Sequence, residues 1–369
     1  MPGLYIHIPF CRQKCGYCDF ASTADTPAPG GAANRAEEYL DALATEAGAY
    51  AHLAGAFDTL YIGGGTPSLL SPAQLEKLFK IARSLTGPAG TFKEATFEAN
   101  PESLDAEKAR LLRLAGVTRV SLGLQASQDR LLRVLGRIAM SADFTRAHTA
   151  LRAAGFDNIN ADLMCGLPGQ SMGDFTESLR WLLAMRPEHV SLYALEIHES
   201  TPFFRGGVKE APDAAVEMYE AAAAAFEAAG LGRYEISNFA LAGRQCRHNL
   251  NYWEQGSYLG LGAAAASYMD GERRTNTGDL ATYLASTAEH GIPASHSRET
   301  LVGRAKLAEK IMLGLRKTGG IKLESDIITE FSAEINRLLG LDLIEKTGGT
   351  IRIKNSRLYL SNAVFREFI

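Results

Sequence analysis

The chain has 369 residues, 46 % of them apolar and 22 % charged, with a formal net charge of −4. That mix is ordinary for a water-soluble globular protein, and the length allows one barrel-sized domain plus a smaller one. No stretch approaches the ~20 uninterrupted apolar residues that cross a bilayer, and no basic segment leads into an apolar run at the start. Nothing in the charge calls for nucleic acid or a membrane as an obligate partner, and a cytoplasmic location is expected.

The first strand is expected over residues 4–8, and it runs into the most informative segment of the chain. Cys11, Cys15 and Cys18 lie in Cys-Arg-Gln-Lys-Cys-Gly-Tyr-Cys, while Cys165 and Cys246 are far away. Five cysteines so distributed do not make a disulfide framework, and they suit a reducing compartment. A [4Fe–4S] cube normally takes four thiolates. Three thiolates this close, with no fourth beside them, can hold a cube with one iron open to a small molecule. Zinc is the alternative, and it would want a fourth Cys or His at a matching spacing. The spacing resembles that of radical S-adenosylmethionine (radical SAM) proteins, in which the sulfonium cofactor's amino and carboxylate groups cap the open iron.

Further strands are expected over 59–62, 93–98, 119–124, 158–163 and 189–195. Helical patterns lie near 35–54, 72–85, 105–115, 128–153, 173–184 and 213–229. Ser71, Pro72 and Gln74 form an N-terminal capping signal, and Gly116 is a left-handed terminator for the helix that begins at Asp105. Six β–α units in series predict an α/β fold of the partial (β/α)6 TIM-like barrel type, with its site on the loops after the strands. The barrel is expected over residues 1–235. A connecting segment should cover 236–300, where the alternation stops. A small winged-helix-like α+β domain should occupy 301–369, with a hairpin turning at Gly348-Gly349. Its 12 Lys/Arg against 8 Asp/Glu are too mild a bias for nucleic-acid binding.

Tyr61-Ile-Gly-Gly-Gly-Thr-Pro follows the second strand. Consecutive glycines let backbone N–H groups come close to a ligand, so Gly64, Gly65 and Thr66 are expected against the amino-acid end of the cofactor. Four polar residues, Glu98, Gln125, Arg137 and Asp162, are expected to close later strands. A carboxylate that ends a buried strand must be paired or face a ligand. Glu98 and Asp162 can accept from ribose hydroxyls or an ammonium, and Arg137 can pair with a carboxylate.

Over nearly its whole length the chain resembles the oxygen-independent coproporphyrinogen III oxidase family of radical SAM proteins. The matching features are Tyr5-Ile-His-Ile-Pro-Phe-Cys, the triad with Tyr17 before its last cysteine, Gly63-Gly-Gly-Thr-Pro, Glu98, Gln125, Arg137 and Asp162. The resemblance implies that Cys11, Cys15 and Cys18 bind the [4Fe–4S] cluster. It also implies that Tyr5, Tyr17, Gly64, Gly65, Thr66, Glu98, Gln125, Arg137 and Asp162 contact S-adenosylmethionine. Two departures stand out. The oxidases have a further cysteine where this chain has Phe20, and the four residues before Tyr5 leave no room for their N-terminal extension. Both point to the sister group, the HemW-type heme chaperones, as does Cys246-Arg-His-Asn-Leu-Asn-Tyr-Trp, similar to that group's HNxxYW signature. His248 would offer heme an imidazole and Cys246 a thiol. Tyr252 and Trp253 would be the stacking surfaces, with Asn249 a further candidate heme contact. The implied function is a protein that binds heme and passes it to heme-accepting proteins such as respiratory enzymes. The alternative is the oxidase itself, a radical oxidative decarboxylation of coproporphyrinogen III. His7 is expected as polar support for the cluster loop, and Cys165 as a small core residue.

Overall fold

The computed structural model describes residues 2–24, 32–87 and 90–369, the side chains of residues 32–34 excepted. Six parallel strands lie side by side in chain order: β1 (Gly3–Ile8), β2 (Thr59–Gly64), β3 (Glu94–Ala99), β4 (Arg119–Gln125), β5 (Ile159–Cys165) and β6 (His189–Ala194). Each expected strand is present, with ends moved by two residues at most. Between them run α1 (Ala32–Ala49), α2 (Pro72–Ser84), α3 (Ala106–Leu114), α4 (Asp129–Val134), α5 (Ser141–Ala153) and α6 (Met172–Ala184). After β6 come a short α7 (Pro202–Arg205) and α8 (Pro212–Ala228).

Alternation along these strands decides what each face does. Leu4, Ile6, Leu60, Ile62, Phe97, Val120, Leu122 and Leu163 point one way and bury against the helices in the main core. The opposite, inner face is polar. The register sets Tyr5 beside Tyr61 and His7 beside Gly63, Glu98 beside Ser121, and Asp162 between Gly123 and Ser191. A parallel sheet usually carries apolar residues on both faces. Here one face forms the core and the other forms a site.

Local signals act as read. Gln74 N–H donates to Ser71 Oγ at 3.3 Å, and Ser71 N–H donates back to Gln74 Oε1 at 3.0 Å. Asp105 caps α3 through Lys108 N–H at 2.8 Å, and Gly116 follows the helix at φ +93°. The single helix expected over 128–153 is two. Gly136 adopts φ +71°, the chain breaks there, and Asp143 recaps the second helix through Met140 N–H. Arg137 therefore lies in a helix–helix break and does not end a strand.

The stretch after residue 235 holds more sheet than its sequence suggested. β7 (Gly232–Arg233) and β8 (Asn238–Ala240) extend the β6 edge. α9 (Arg247–Trp253) leads into β9 (Tyr258–Leu261), which pairs in parallel with β1. β10 (Ala266–Met269), β11 (Glu272–Asn276) and β12 (Ser295–Thr300) continue antiparallel from it, with α10 (Leu280–His290) between the last two. These strands are short and β12 is fully exposed, so no apolar alternation marks them.

The C-terminal residues comprise α11 (Gly303–Arg316), β13 (Ile321–Lys322), α12 (Ser325–Gly340, kinked at Phe331), β14 (Ile344–Thr347) and β15 (Thr350–Ile353). The last two form the expected hairpin, with Gly348 and Gly349 at φ +57° and +81°. Ile311, Leu315, Phe331, Leu338 and Ile351 give this part a core of its own. Among the described residues no helix is long and apolar enough to cross a membrane.

Candidate functional site

The cysteine segment is fixed by hydrogen bonds through Gln13 and Gly16, between its cysteines. Gly16 N–H donates to Leu135 O at 2.9 Å, Gln13 Nε2 donates to Gly136 O at 3.2 Å, and Phe203 N–H donates to Gly16 O at 2.8 Å. The α4–α5 break is thus clamped against the loop, which brings Arg137 next to Cys15 and Tyr17. His7 supports the loop from the other side, as expected. Its Nε2 is 2.7 Å from Ala21 O and its Nδ1 is 2.8 Å from Tyr5 Oη. All three thiols are half-buried. Burial first, and then the neighbouring thiols, push Cys15 up and Cys18 up to about 11, so these two unliganded sulfurs favour the protonated form. A cationic centre is what turns buried thiols into thiolates, and three cysteines on one loop are the donor type that iron–sulfur coordination takes.

The Gly63–Gly65 turn works differently from the expectation. Gly64 N–H donates to Glu98 Oε2 at 3.1 Å, Gly65 N–H to Ile8 O at 2.8 Å and Thr66 N–H to Phe10 O at 2.7 Å. Every one of these donors is used inside the protein. The glycines are needed because a Cβ on Gly64 would sit 2.5 Å from the His7 ring, and one on Gly65 would sit 2.6 Å from Phe10 O. An ammonium is itself a donor, so the turn's carbonyls are the groups that suit it.

Glu98 accepts from Tyr61 Oη at 2.6 Å. Burial, with the Asp162 charge as a smaller push, takes its carboxyl up to about 7 against the Tyr61 and Gly64 hydrogen bonds. Asp162 accepts from Asn160 Nδ2 at 2.7 Å and is also raised by burial. Gln125 ends β4 at φ +68°, a left-handed backbone that glycine would adopt at less cost. Gly123 lacks a side chain where Arg137 Nη2, Gln125 Nε2 and Asn100 Oδ1 converge, all three 3.0–3.3 Å from where a Cβ would stand. Asn100, which the sequence reading passed over, joins the two walls. It accepts from Arg137 Nη2 at 3.1 Å and donates to Thr66 Oγ1 at 3.0 Å, and Thr66 in turn points at Cys11 Sγ, 3.5 Å away. Its position two residues beyond Glu98, before a proline, was the available signal.

The 246–253 segment separates into two roles. His248 is fully buried at the start of the sheet. Its Nδ1 is 2.8 Å from Thr59 Oγ1 and its Nε2 is 2.8 Å from Tyr252 Oη. Gly3, Thr59 and Glu94, its neighbours, begin β1, β2 and β3, whereas the cofactor-type residues end them. The expectation that His248 gives its imidazole to iron does not fit: both nitrogens are engaged and none faces space. Cys246 is likewise buried, with its sulfur 3.6 Å from Glu94 Oε1. Asn249 is half-buried and lies off the cavity described next. Tyr252 and Trp253 do line it.

That cavity, about 710 Å³, runs from Gly64 and Glu98 past Tyr5 and His7 to Tyr252, Trp253, Tyr258 and Tyr268. Phe20, 59 % exposed, stands at its mouth.

Burial holds the His248 imidazole neutral by lowering it to about 3. His248→Ala is expected to cost about 2–4 kcal/mol of stability by leaving the Thr59 and Tyr252 hydroxyls unpartnered. The unfolded imidazole titrates near its ordinary value of about 6.5. The wild-type advantage should therefore shrink as pH falls below that value, because only the wild type has an imidazole to protonate on unfolding. Urea midpoints at two pH values check this.

Comparison with known proteins agrees with this geometry. Residues 5–182 match the model of the radical SAM superfamily. The heme chaperone HemW of Bacillus subtilis is 36 % identical over 100 % of this chain and 99 % of its own. That of Escherichia coli is 38 % identical over 71 % of this chain and 69 % of its own. The structure of the coproporphyrinogen III oxidase HemN of Escherichia coli superposes with a TM-score of 0.86 at 22 % identity, covering 100 % of this chain and 90 % of that one, which is a likeness of fold. With a relative of that identity along its full length, the chain belongs to the HemW family of radical SAM proteins.

Proposed function

We propose that the chain is a heme chaperone. It binds heme on a scaffold that also carries a [4Fe–4S] cluster and S-adenosylmethionine, and it transfers the heme to acceptor proteins, respiratory enzymes among them, in the cytoplasm. The observation that carries this reading is the alignment with the Bacillus subtilis heme chaperone from end to end. The cavity supports it: an aromatic compartment continuous with the Gly64–Glu98 end gives a flat apolar ligand a place beside the cofactor residues.

In this reading Cys11, Cys15 and Cys18 hold the cluster. Arg137 pairs with the cofactor's carboxylate, the carbonyls of the Gly64–Gly65 turn and Thr66 take its ammonium, and Glu98 and Asp162 take ribose hydroxyls. Tyr5, Tyr17 and Gln125 complete the walls. When bound, the cluster and the sulfonium supply one-electron chemistry that no side chain offers. The protein's own contribution is to orient the cofactor and to seal it from water.

The test is anaerobic and uses the reconstituted chain. Added heme is expected to give a stoichiometric Soret band, and coproporphyrinogen III with S-adenosylmethionine and reductant is expected to yield no protoporphyrinogen. Sustained decarboxylation would replace this reading with the oxidase.

A further inference from the structure

Heme iron in proteins takes an imidazole, a thiolate, a thioether or a phenolate as its axial ligand. Six described residues that line the cavity carry a side chain of those types: Tyr5, His7, Tyr252, Tyr258, Tyr268 and Met312. Both ring nitrogens of His7 are engaged, one by Tyr5 Oη at 2.8 Å and the other by Ala21 O at 2.7 Å. The four tyrosines would have to ionise, and burial raises every one of them above the ordinary phenol value. Tyr252 is held in addition by His248 Nε2 at 2.8 Å. Met312 stands apart, because a thioether offers a lone pair and has no proton to lose.

The helix that carries Met312 lies across the aromatic end of the cavity. Glu309, Met312 and Leu313, spaced i, i+3 and i+4 on one face of α11, all line it. That face is tied down on both sides of Met312. Glu309 accepts from Arg273 Nη2 of β11 and from Gln255 Nε2, the latter at 3.4 Å. A turn beyond Met312, the Arg316 guanidinium lies over the Trp253 ring, 4.3 Å from its centroid. Ile311 and Leu315 turn to another face and bury in the C-terminal core. Met312 is thus fixed between two contacts with residues of the cavity wall and lines the space between them.

Granting the heme-chaperone reading, we propose that the Met312 thioether is the axial ligand of heme iron in the aromatic half of this cavity. The bond forms between iron and a sulfur lone pair, no proton is released and no oxidation state changes. A thioether is a soft donor and holds ferrous iron better than ferric iron. Heme seated this way is tight when reduced and loosened by oxidation, a useful property in a protein that must give its ligand up. A methionine that only filled the wall would be replaceable by leucine at little cost.

Anaerobic titration of ferrous and ferric heme into the full-length chain tests this, with affinity read from the Soret band. The ligand is read from the methionine methyl resonances of the carbon monoxide adduct of the ferrous complex, in which the iron is low-spin. Wild type is expected to bind ferrous heme more tightly than ferric, and to show one methionine methyl shifted far upfield by the porphyrin ring current. Met312→Leu, which keeps the volume of the side chain, should lose that resonance and bind ferrous heme at least about tenfold more weakly. Met312→His should bind tightly again, with an imidazole-type spectrum and without the preference for the ferrous state. A far-upfield methyl that is absent from the wild-type complex, or that persists in Met312→Leu, overturns the ligand assignment alone. A wild-type chain that binds no heme in either state overturns the chaperone reading itself.

Discussion

Cys15→Ser is expected to take the anaerobically reconstituted chain from about four irons to well under one, and to remove binding of S-adenosylmethionine with them. The reason is that no spare thiol can stand in. Cys165 is buried with its sulfur against Tyr193 O and Ala215 O, at 3.6 and 3.7 Å. Cys246 is buried against Glu94 at the other end of the sheet. The fold should barely notice. The loop is held mainly by the Gly16 backbone, the Gln13 side-chain amide and the Ala21 carbonyl, so the metal-free variant should unfold within about 0.5 kcal/mol of metal-free wild type. Iron and sulfide assay, with thermal unfolding of the metal-free forms, separates the two effects. Zinc in the reconstituted wild type, or iron retained by the serine variant, would remove the three-thiolate cluster from this account.

What could be read in the sequence followed from patterns of local origin. The six strands stood out as apolar runs between amphipathic helices, and Ser71 with Gln74 announced a helix start whose two reciprocal hydrogen bonds are present. The cysteine spacing identified the loop, since such clustering has few other uses. Three kinds of information were out of reach. The polar inner face was written in Thr96-Phe97-Glu98 and Asn160-Ala161-Asp162, but a parallel strand is usually buried on both sides, and single polar residues then look like strand ends. Arg137 was misplaced because one glycine broke a helix whose apolar period continued through it. The role of His248 depended on a partner 189 positions away, Thr59, which only the folded sheet brings within 2.8 Å. The strands from β9 to β12 escaped because they have only four to six residues, and the outer two, rich in charged and polar side chains, carry no apolar period. They are also the part that supplies Tyr258, Tyr268 and Arg273 to the cavity, so the half of the site contributed by them could not be seen in advance.

Arg119→Leu is expected to cost about 3–5 kcal/mol of folding stability, since it strips the cation from a buried set of carboxylates. Arg119 is 2 % exposed at the start of β4 on the polar face. Burial works against its charge, and Glu94 is the carboxylate beside it that opposes this, with the neutral Cys246 thiol and the Tyr61 and Tyr234 hydroxyls around the rest. The same guanidinium eases the ionisation of Glu98, which burial still lifts to about 7, and of Asp162, which burial also raises. Without it both carboxyls move higher. The sign of the pH dependence follows. A carboxyl raised in the folded state keeps a proton that the unfolded chain releases near its ordinary value, so its contribution to stability falls as pH climbs from there to the folded value. In wild type that window closes near 7 for Glu98. In the variant it stays open above that, and the deficit should grow from mildly acid to mildly alkaline solution. Adding Glu98→Gln to the variant removes one of the two titrating groups and should recover part of the pH-dependent loss, leaving the packing loss as it was. Urea midpoints on either side of neutrality for the three chains decide it. A deficit of the same size at every pH would mean that Arg119 fills space and leaves the carboxylates of the candidate cofactor site to other partners.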